Sequence, residues 1–155
     1  MPISSPEEFD ANASPEMLRD TVQALREQLR AAQAEAQRYH TSFELSAAGM
    51  ALVALDGVFL DVNPRMCQIL GYSAERLQTL HFQDITHADD LPVNLQAMVD
   101  LVEGRIQTYH LEKRYVRSDG AIIWGSVSIA LVRDEHGAPQ HFIAVVEDVS
   151  ERQRT

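Results

Sequence analysis

The run Val62-Asn63-Pro64-Arg65-Met66-Cys67-Gln68-Ile69-Leu70-Gly71 switches the chain from one backbone period to another. Val58-Phe59-Leu60-Asp61-Val62 reads as a strand. Asn63 then caps a helix, because its side-chain oxygen accepts from free amides, and Pro64 at the first helical position lacks an N–H that would have no partner there. Gly71 ends the helix, since glycine takes the left-handed C-cap conformation at little cost. Before this run, Met50-Ala51-Leu52-Val53-Ala54-Leu55 reads as a buried strand, with Asp56-Gly57 as the tight turn of a hairpin. After it, Ser73-Ala74-Glu75-Arg76 starts a brief turn. Asp84 to Asp90 form a turn and a helix start, followed by Leu91, Leu95, Met98, Val99 and Val102 at helical spacing up to Gly104. Three strands close the chain, over residues 107–116, 121–132 and 140–148, joined at Ser118-Asp119-Gly120 and at Glu135-His136-Gly137-Ala138-Pro139. This order predicts an α+β domain with helices over one face of the sheet.

The N-terminal third has a different period. Residues 1–13 mix Pro, Ser, Asn and acids and are expected to be a flexible tail. Ser14-Pro15-Glu16 is a helix start, combining a capping hydroxyl, an N1 proline and a negative charge at the positive helix end. Leu18, Val22, Leu25, Leu29, Ala32, Ala36, Tyr39 and Phe43 then follow alternating steps of four and three, a heptad seam. As one helix the seam runs roughly 39 Å at 1.5 Å per residue, long and narrowly apolar for so small a domain. A helix over residues 14–46 that dimerises as a coiled coil is the first reading; a surface helix folded back on its own domain is the second.

With 155 residues the chain has room for one domain and an appendage. Hydrophobic residues make up 45% and charged residues 23%, a balance that supports a folded core. Thirteen Lys and Arg against 23 Asp and Glu leave a formal charge of -10, which repels nucleic-acid phosphates and anionic membrane faces. Cys67 is the one cysteine, so neither a disulfide framework nor a thiolate cage is expected. The start Met1-Pro2-Ile3-Ser4 has neither the basic end nor the apolar run of an export signal, and a cytoplasmic location without a membrane span is the expectation.

Val62-Asn63-Pro64-Arg65-Met66, Leu70-Gly71-Tyr72-Ser73 and Asp84-Ile85-Thr86-His87-Ala88-Asp89-Asp90-Leu91 together resemble a PAS sensory domain. So do Leu111-Glu112-Lys113-Arg114-Tyr115, Asp119-Gly120, Trp124 and the closing Glu147-Asp148-Val149-Ser150-Glu151-Arg152. The resemblance covers about residues 40 to 152. It implies the PAS fold over residues 47–150, a five-stranded antiparallel sheet whose two N-terminal strands lie beside the last, with helices over one face, after a long N-terminal coiled-coil helix. It also implies a pocket between helices and sheet, and a signal relayed through the flanking helices.

Strand alternation chooses the pocket face. In residues 121–132, Ile123, Val127, Ile129 and Leu131 share one side, and Trp124, Ser126 and Ser128 the other. Matched to the resemblance, the same alternation nominates Val53, Leu55, Leu111 and Tyr115 as sheet-side lining. It adds Phe142, Ala144 and Val146 on the last strand, while Met66, Phe82 and Leu95 approach from the helices. The same side chains would also serve as a filled core. Trp124, on the opposite face, is assigned to the dimer contact with the heptad residues, with packing by its own neighbours as the alternative. Glu112 and Arg114 are expected to pair with neighbours across the sheet. By resemblance, Asp148 and Ser150 fasten the sheet end to the exit linker that starts at 151–155.

Cofactors are not expected. The segment after the Gly-Tyr motif reads Leu80-His81-Phe82-Gln83 and lacks the photoadduct cysteine of light-sensing flavin relatives; Cys67 lies earlier, as a small apolar residue. No histidine occurs between His87 and His110, where haem-binding relatives often place their axial ligand. His87, Asp89 and Asp90 have suitable chemistry for a divalent metal, yet carboxylates at a helix start serve as caps, and no metal site is assigned. Neither a nucleophile elbow nor a phosphate-binding glycine loop is present, so an enzyme is not expected. The leading reading is a bacterial sensory module, homodimeric, with a small-molecule ligand and an output domain of histidine kinase or diguanylate cyclase type. The alternative is a ligand-free dimerisation or docking module.

Overall fold

The computed structural model describes residues 14–150; the expected tail at 1–13 and the linker start at 151–155 lie outside them. The chain divides into two units, one ending at Thr41 and the other beginning at Ser42. Helix α1, Pro15–Leu45, starts as its sequence dictates, with the Ser14 hydroxyl accepting from the Met17 amide at 3.1 Å. Along it Leu18, Val22, Leu25, Leu29 and Tyr39 stand exposed, as do Ala32 and Ala36. Phe43 departs from the seam assigned to it. It is buried in the core of the second unit, so the open apolar stripe ends before it.

The second unit contains β1 (Gly49–Ala54), β2 (Phe59–Val62), α2 (Pro64–Leu70), α3 (Ala74–Leu77), α4 (Phe82–Ile85) and α5 (Leu91–Val102). It ends in β3 (Thr108–Val116), β4 (Ile122–Arg133) and β5 (Pro139–Asp148). The one-turn α4 was not among the expected elements. The five strands form one antiparallel sheet in the order β2-β1-β5-β4-β3, so the N-terminal hairpin lies against the last strand. Register aligns Val53 with Phe142, Ala144 with Ile129 and Val127 with both Val146 and Leu111, all on the face that the helices cover. Gly125 of β4 makes room on that face: a Cβ there would lie 2.7 Å from the Tyr115 ring.

Two local devices join helices to sheet. The Asn63 side chain caps α2 by accepting from the Met66 amide at 2.9 Å, and also accepts from the Met50 amide of β1 at 2.8 Å. Its Nδ2 donates to the carbonyls of Phe43 and Ala48, so one buried side chain ties three segments together. Gly71, at φ 78, closes α2 in the left-handed conformation.

Helix α5 corrects the expected amphipathic stripe. The residues it buries are Asn94, Ala97, Met98 and Leu101, whereas Leu95, Val99 and Val102 face outward. Only Met98 belongs to both sets. The spacing of the buried set is equally helical, but its first member is polar, and a stripe drawn through apolar residues alone is therefore turned about the helix axis.

Candidate functional site

Between the sheet and α2, α4 and α5 lies a small cavity of about 30 Å³. From the sheet it is lined by Val53, Phe59, Tyr115, Val127, Ile129, Phe142 and Ala144, and from the helices by Met66, Phe82, Asn94 and Met98. A space of that size holds about one water molecule. The remaining lining residue is Lys113, a charged side chain only 3% exposed.

Lys113 enters the cavity because β3 alternates: Leu111, Lys113 and Tyr115 point inward, while Glu112 and Arg114 do not. Its ammonium donates to Thr86 Oγ1 at 3.0 Å and to Asn94 Oδ1. The nitrogen also lies 4.6 Å from the centre of the Tyr115 ring and 5.2 Å from that of Phe82, within cation–π range of both. An ammonium has three donors, and the two acceptors here are neutral. Among the described residues no carboxylate reaches it. Burial pushes the Lys113 pKa down to about 7, against the opposing pull of the Asp90 charge. Burial also pushes the Tyr115 hydroxyl well above its ordinary value.

The next residue, Arg114, faces outward and meets Asp90 at the start of α5. Asp90 was read as a helix cap; its carboxylate makes no cap bond and instead accepts from the Arg114 amide at 2.7 Å, Nε at 3.0 Å and Nη2 at 2.8 Å. This bidentate pair is better matched than a single amide contact, which accounts for the difference. Hydrogen bonding by Arg114 holds the Asp90 carboxyl below its ordinary value. The stabilisation is therefore present at neutral pH and is lost as pH falls from the ordinary carboxylate range through that lower value. Asp90→Ala is expected to destabilise the domain by about 2 kcal/mol. A double-mutant cycle with Arg114→Ala in urea checks it: strict additivity would mean that the pair carries no coupling.

The Arg114 guanidinium also covers the Trp124 ring, 5.2 Å from its centre, so this half-buried indole is packed by its own cross-strand neighbour. The backbone of Trp124 in turn holds the end of the sheet. Its amide donates to Ser150 Oγ at 3.0 Å, and its carbonyl accepts from the Val149 amide at 3.0 Å. Asp148 accepts from the Ser150 amide, closing the turn.

The family model described as PAS fold matches residues 59–146. The chain belongs to the PAS family. This PAS domain is 44% identical over 117 residues to the probable diguanylate cyclase DgcE of Escherichia coli (strain K12), covering 76% of this chain and 11% of that protein. It is 26% identical over 117 residues to the sensor histidine kinase TmoS of Ectopseudomonas mendocina, covering 76% of this chain and 12% of that one. The chain thus spans about a tenth of the length of the curated relatives it matches. The crystal structure of a PAS domain from Colwellia psychrerythraea superposes with a TM-score of 0.70 at 18% identity, covering 76% of this chain and 98% of that one.

The nominated lining of the PAS domain separates into three groups. Val53, Met66, Phe82, Tyr115, Val127, Ile129, Phe142 and Ala144 converge on the cavity. Leu111 and Val146 are buried beside it, in the same core but off its wall. Leu55 and Leu95 are corrections: they are 46% and 39% exposed and line an outer groove instead. β1 ends at Ala54, where the turn interrupts alternation before Leu55, and Leu95 lies on the outer face of α5. Sequence reasoning missed Phe59, Met98, Lys113 and Asn94. The signal for Lys113 was present in its position between Leu111 and Tyr115, two inward residues. His87 lies outside the cavity wall, with Nδ1 accepting from the Asp89 amide. Among the described residues no three His, Cys, Asp or Glu side chains group as a metal site. Burial, followed by the charge of Glu75, pushes the Cys67 thiol up, which disfavours the reactive thiolate. Among the described residues no helix is long and apolar enough to cross a membrane.

Proposed function

We propose that this PAS domain is the sensory input segment of a longer signalling protein and binds a small molecule at the Lys113 cavity. The observation that carries this reading is the buried ammonium. A filled core has no use for a desolvated cation held by neutral partners, because burying charge is costly and an apolar residue would pack the same space. A binding site does have a use for it.

The route outward is short and contiguous. Lys113 is adjacent in β3 to Arg114, Arg114 is clamped by Asp90 and covers Trp124, and Trp124 holds Val149 and Ser150 at the exit of the sheet. A ligand that moves Lys113 therefore acts on the segment leading to an output domain, of diguanylate cyclase or histidine kinase type by analogy with the relatives. The exposed seam Leu18, Val22, Leu25 and Leu29 supports homodimerisation through α1. The segment is assigned no catalysis and no haem or flavin, since the chain lacks a cysteine in the segment after the Gly-Tyr motif and a histidine between His87 and His110. The small volume of the cavity, about 30 Å³, favours the second reading, a docking module with a filled core.

Native mass spectrometry and a visible spectrum of the purified chain separate the two. A retained or added metabolite on a colourless dimer is the expected result, with Leu25→Asp/Leu29→Asp converting dimer to monomer at micromolar concentration. A bare dimer whose stability no small molecule alters would favour docking, since a ligand specific to the folded state must stabilise it.

A further inference from the structure

The outer groove and the inner cavity share a wall. The groove, about 360 Å³, is lined by Leu55, Leu95, Val99 and Val102, together with Gln83 and Glu103. Phe82, Met98 and Phe142 line both spaces. On one side of these three residues lies a contiguous set of exposed apolar side chains, which marks a contact surface, and on the other lies an enclosed ammonium. Met98 is unbranched and readily changes shape, so the partition is built partly from a movable residue. The groove alone has the volume of an ordinary ligand pocket, of roughly 300 Å³ or more.

We propose that groove and cavity form one site for an amphipathic carboxylate, whose head pairs with Lys113 and whose hydrocarbon tail passes Phe82 and Met98 into the groove. This deepens the ligand-sensing reading above and rests on it. Charge sets the direction of the ligand. Glu103, the charged residue of the groove, repels a carboxylate at the outer end, whereas Lys113 has two neutral acceptors and a donor to spare. Thr86 and Asn94 hold the ammonium in place, and the apolar surroundings strengthen its attraction for an anion. An amine head would meet Lys113 with like charge, and a short acid would leave the groove empty.

The test compares octanoate, octanol, octylamine and acetate by calorimetry and thermal shift on the whole chain at pH 6.5. Octanoate is expected to bind at least tenfold more tightly than octanol, with octylamine and acetate weaker still. Lys113→Met should bring octanoate to the level of octanol, and Val99→Asp should weaken both eight-carbon probes at least tenfold. If the lysine variant does not fold, the ranking on the unaltered chain decides. Equal binding of octanoate and octanol, acetate matching octanoate, or no binding of any probe would overturn the proposal. In those cases native mass spectrometry of the purified chain separates the two levels. A bound molecule of another class leaves the sensory reading standing, and a bare chain removes both.

Discussion

Asn63→Ala is expected to destabilise the PAS domain by about 4 kcal/mol, the largest loss from any single polar side chain described here. The reason is the number of groups it leaves without partners. Oδ1 serves the amides of Met50 and Met66, and Nδ2 serves the carbonyls of Phe43 and Ala48, all around a side chain with no exposure. Alanine abandons two donors and two acceptors that water reaches poorly, and removes the cap of α2 as well. Asn63→Asp is a useful companion, because it keeps the two accepted bonds while turning the donor end into a charge facing two carbonyls. Urea unfolding of both variants measures the effect, and a loss below about 1 kcal/mol for alanine would mean that water replaces the asparagine.

Lys113→Met is expected to stabilise the domain by about 2 kcal/mol at pH 6 and to remove its dependence on pH between about 7 and 9.5. The sign follows from the depressed pKa of about 7. Below that value lysine is charged in both folded and unfolded chains, and the folded state bears the full cost of the buried ammonium. Between about 7 and the ordinary lysine value near 10.4 the unfolded chain binds more protons than the folded one, so the stability of the unaltered protein rises with pH. Methionine has nothing to titrate and gives a flatter profile. The gain over lysine at pH 6 is offset in part by Asn94 Oδ1, which loses its donor. Tyr115, whose raised value costs stability only above about pH 10, stays silent in this window. Parallel stability curves for the two proteins across pH 6 to 9.5 would show that the ammonium is solvated after all.

Most of the architecture was legible in short segments. Asn63-Pro64 and Gly71 bound α2 because caps act through the nearest few residues, and they did so without help from distant chain. Ser14 opened α1 for the same reason. The inward faces of β4 and β5 followed from alternation, which needs only the pleat. The elements misread are those where a distant partner outweighs the local rule. Asp90, a plausible cap by position, belongs to Arg114. Leu55 and Leu95 were assigned inward by patterns that stop at a turn and rotate at a polar residue.

The sequence by itself determined that this chain forms a helix with an apolar seam and then a five-stranded α+β domain with an apolar inner face, since caps, turns and hydrophobic period are local properties. Only the tertiary structure decided what lies inside. Asn94 looks like a surface residue in any window of sequence, and alternation gives Lys113 an inward position without saying what would receive its charge; their burial is tolerable because α5 and β3 bring the amide oxygen to the ammonium between two aromatic rings. A buried charge depends on partners that are far away in the chain, and that dependence is physical: its desolvation is offset only by groups that the fold assembles.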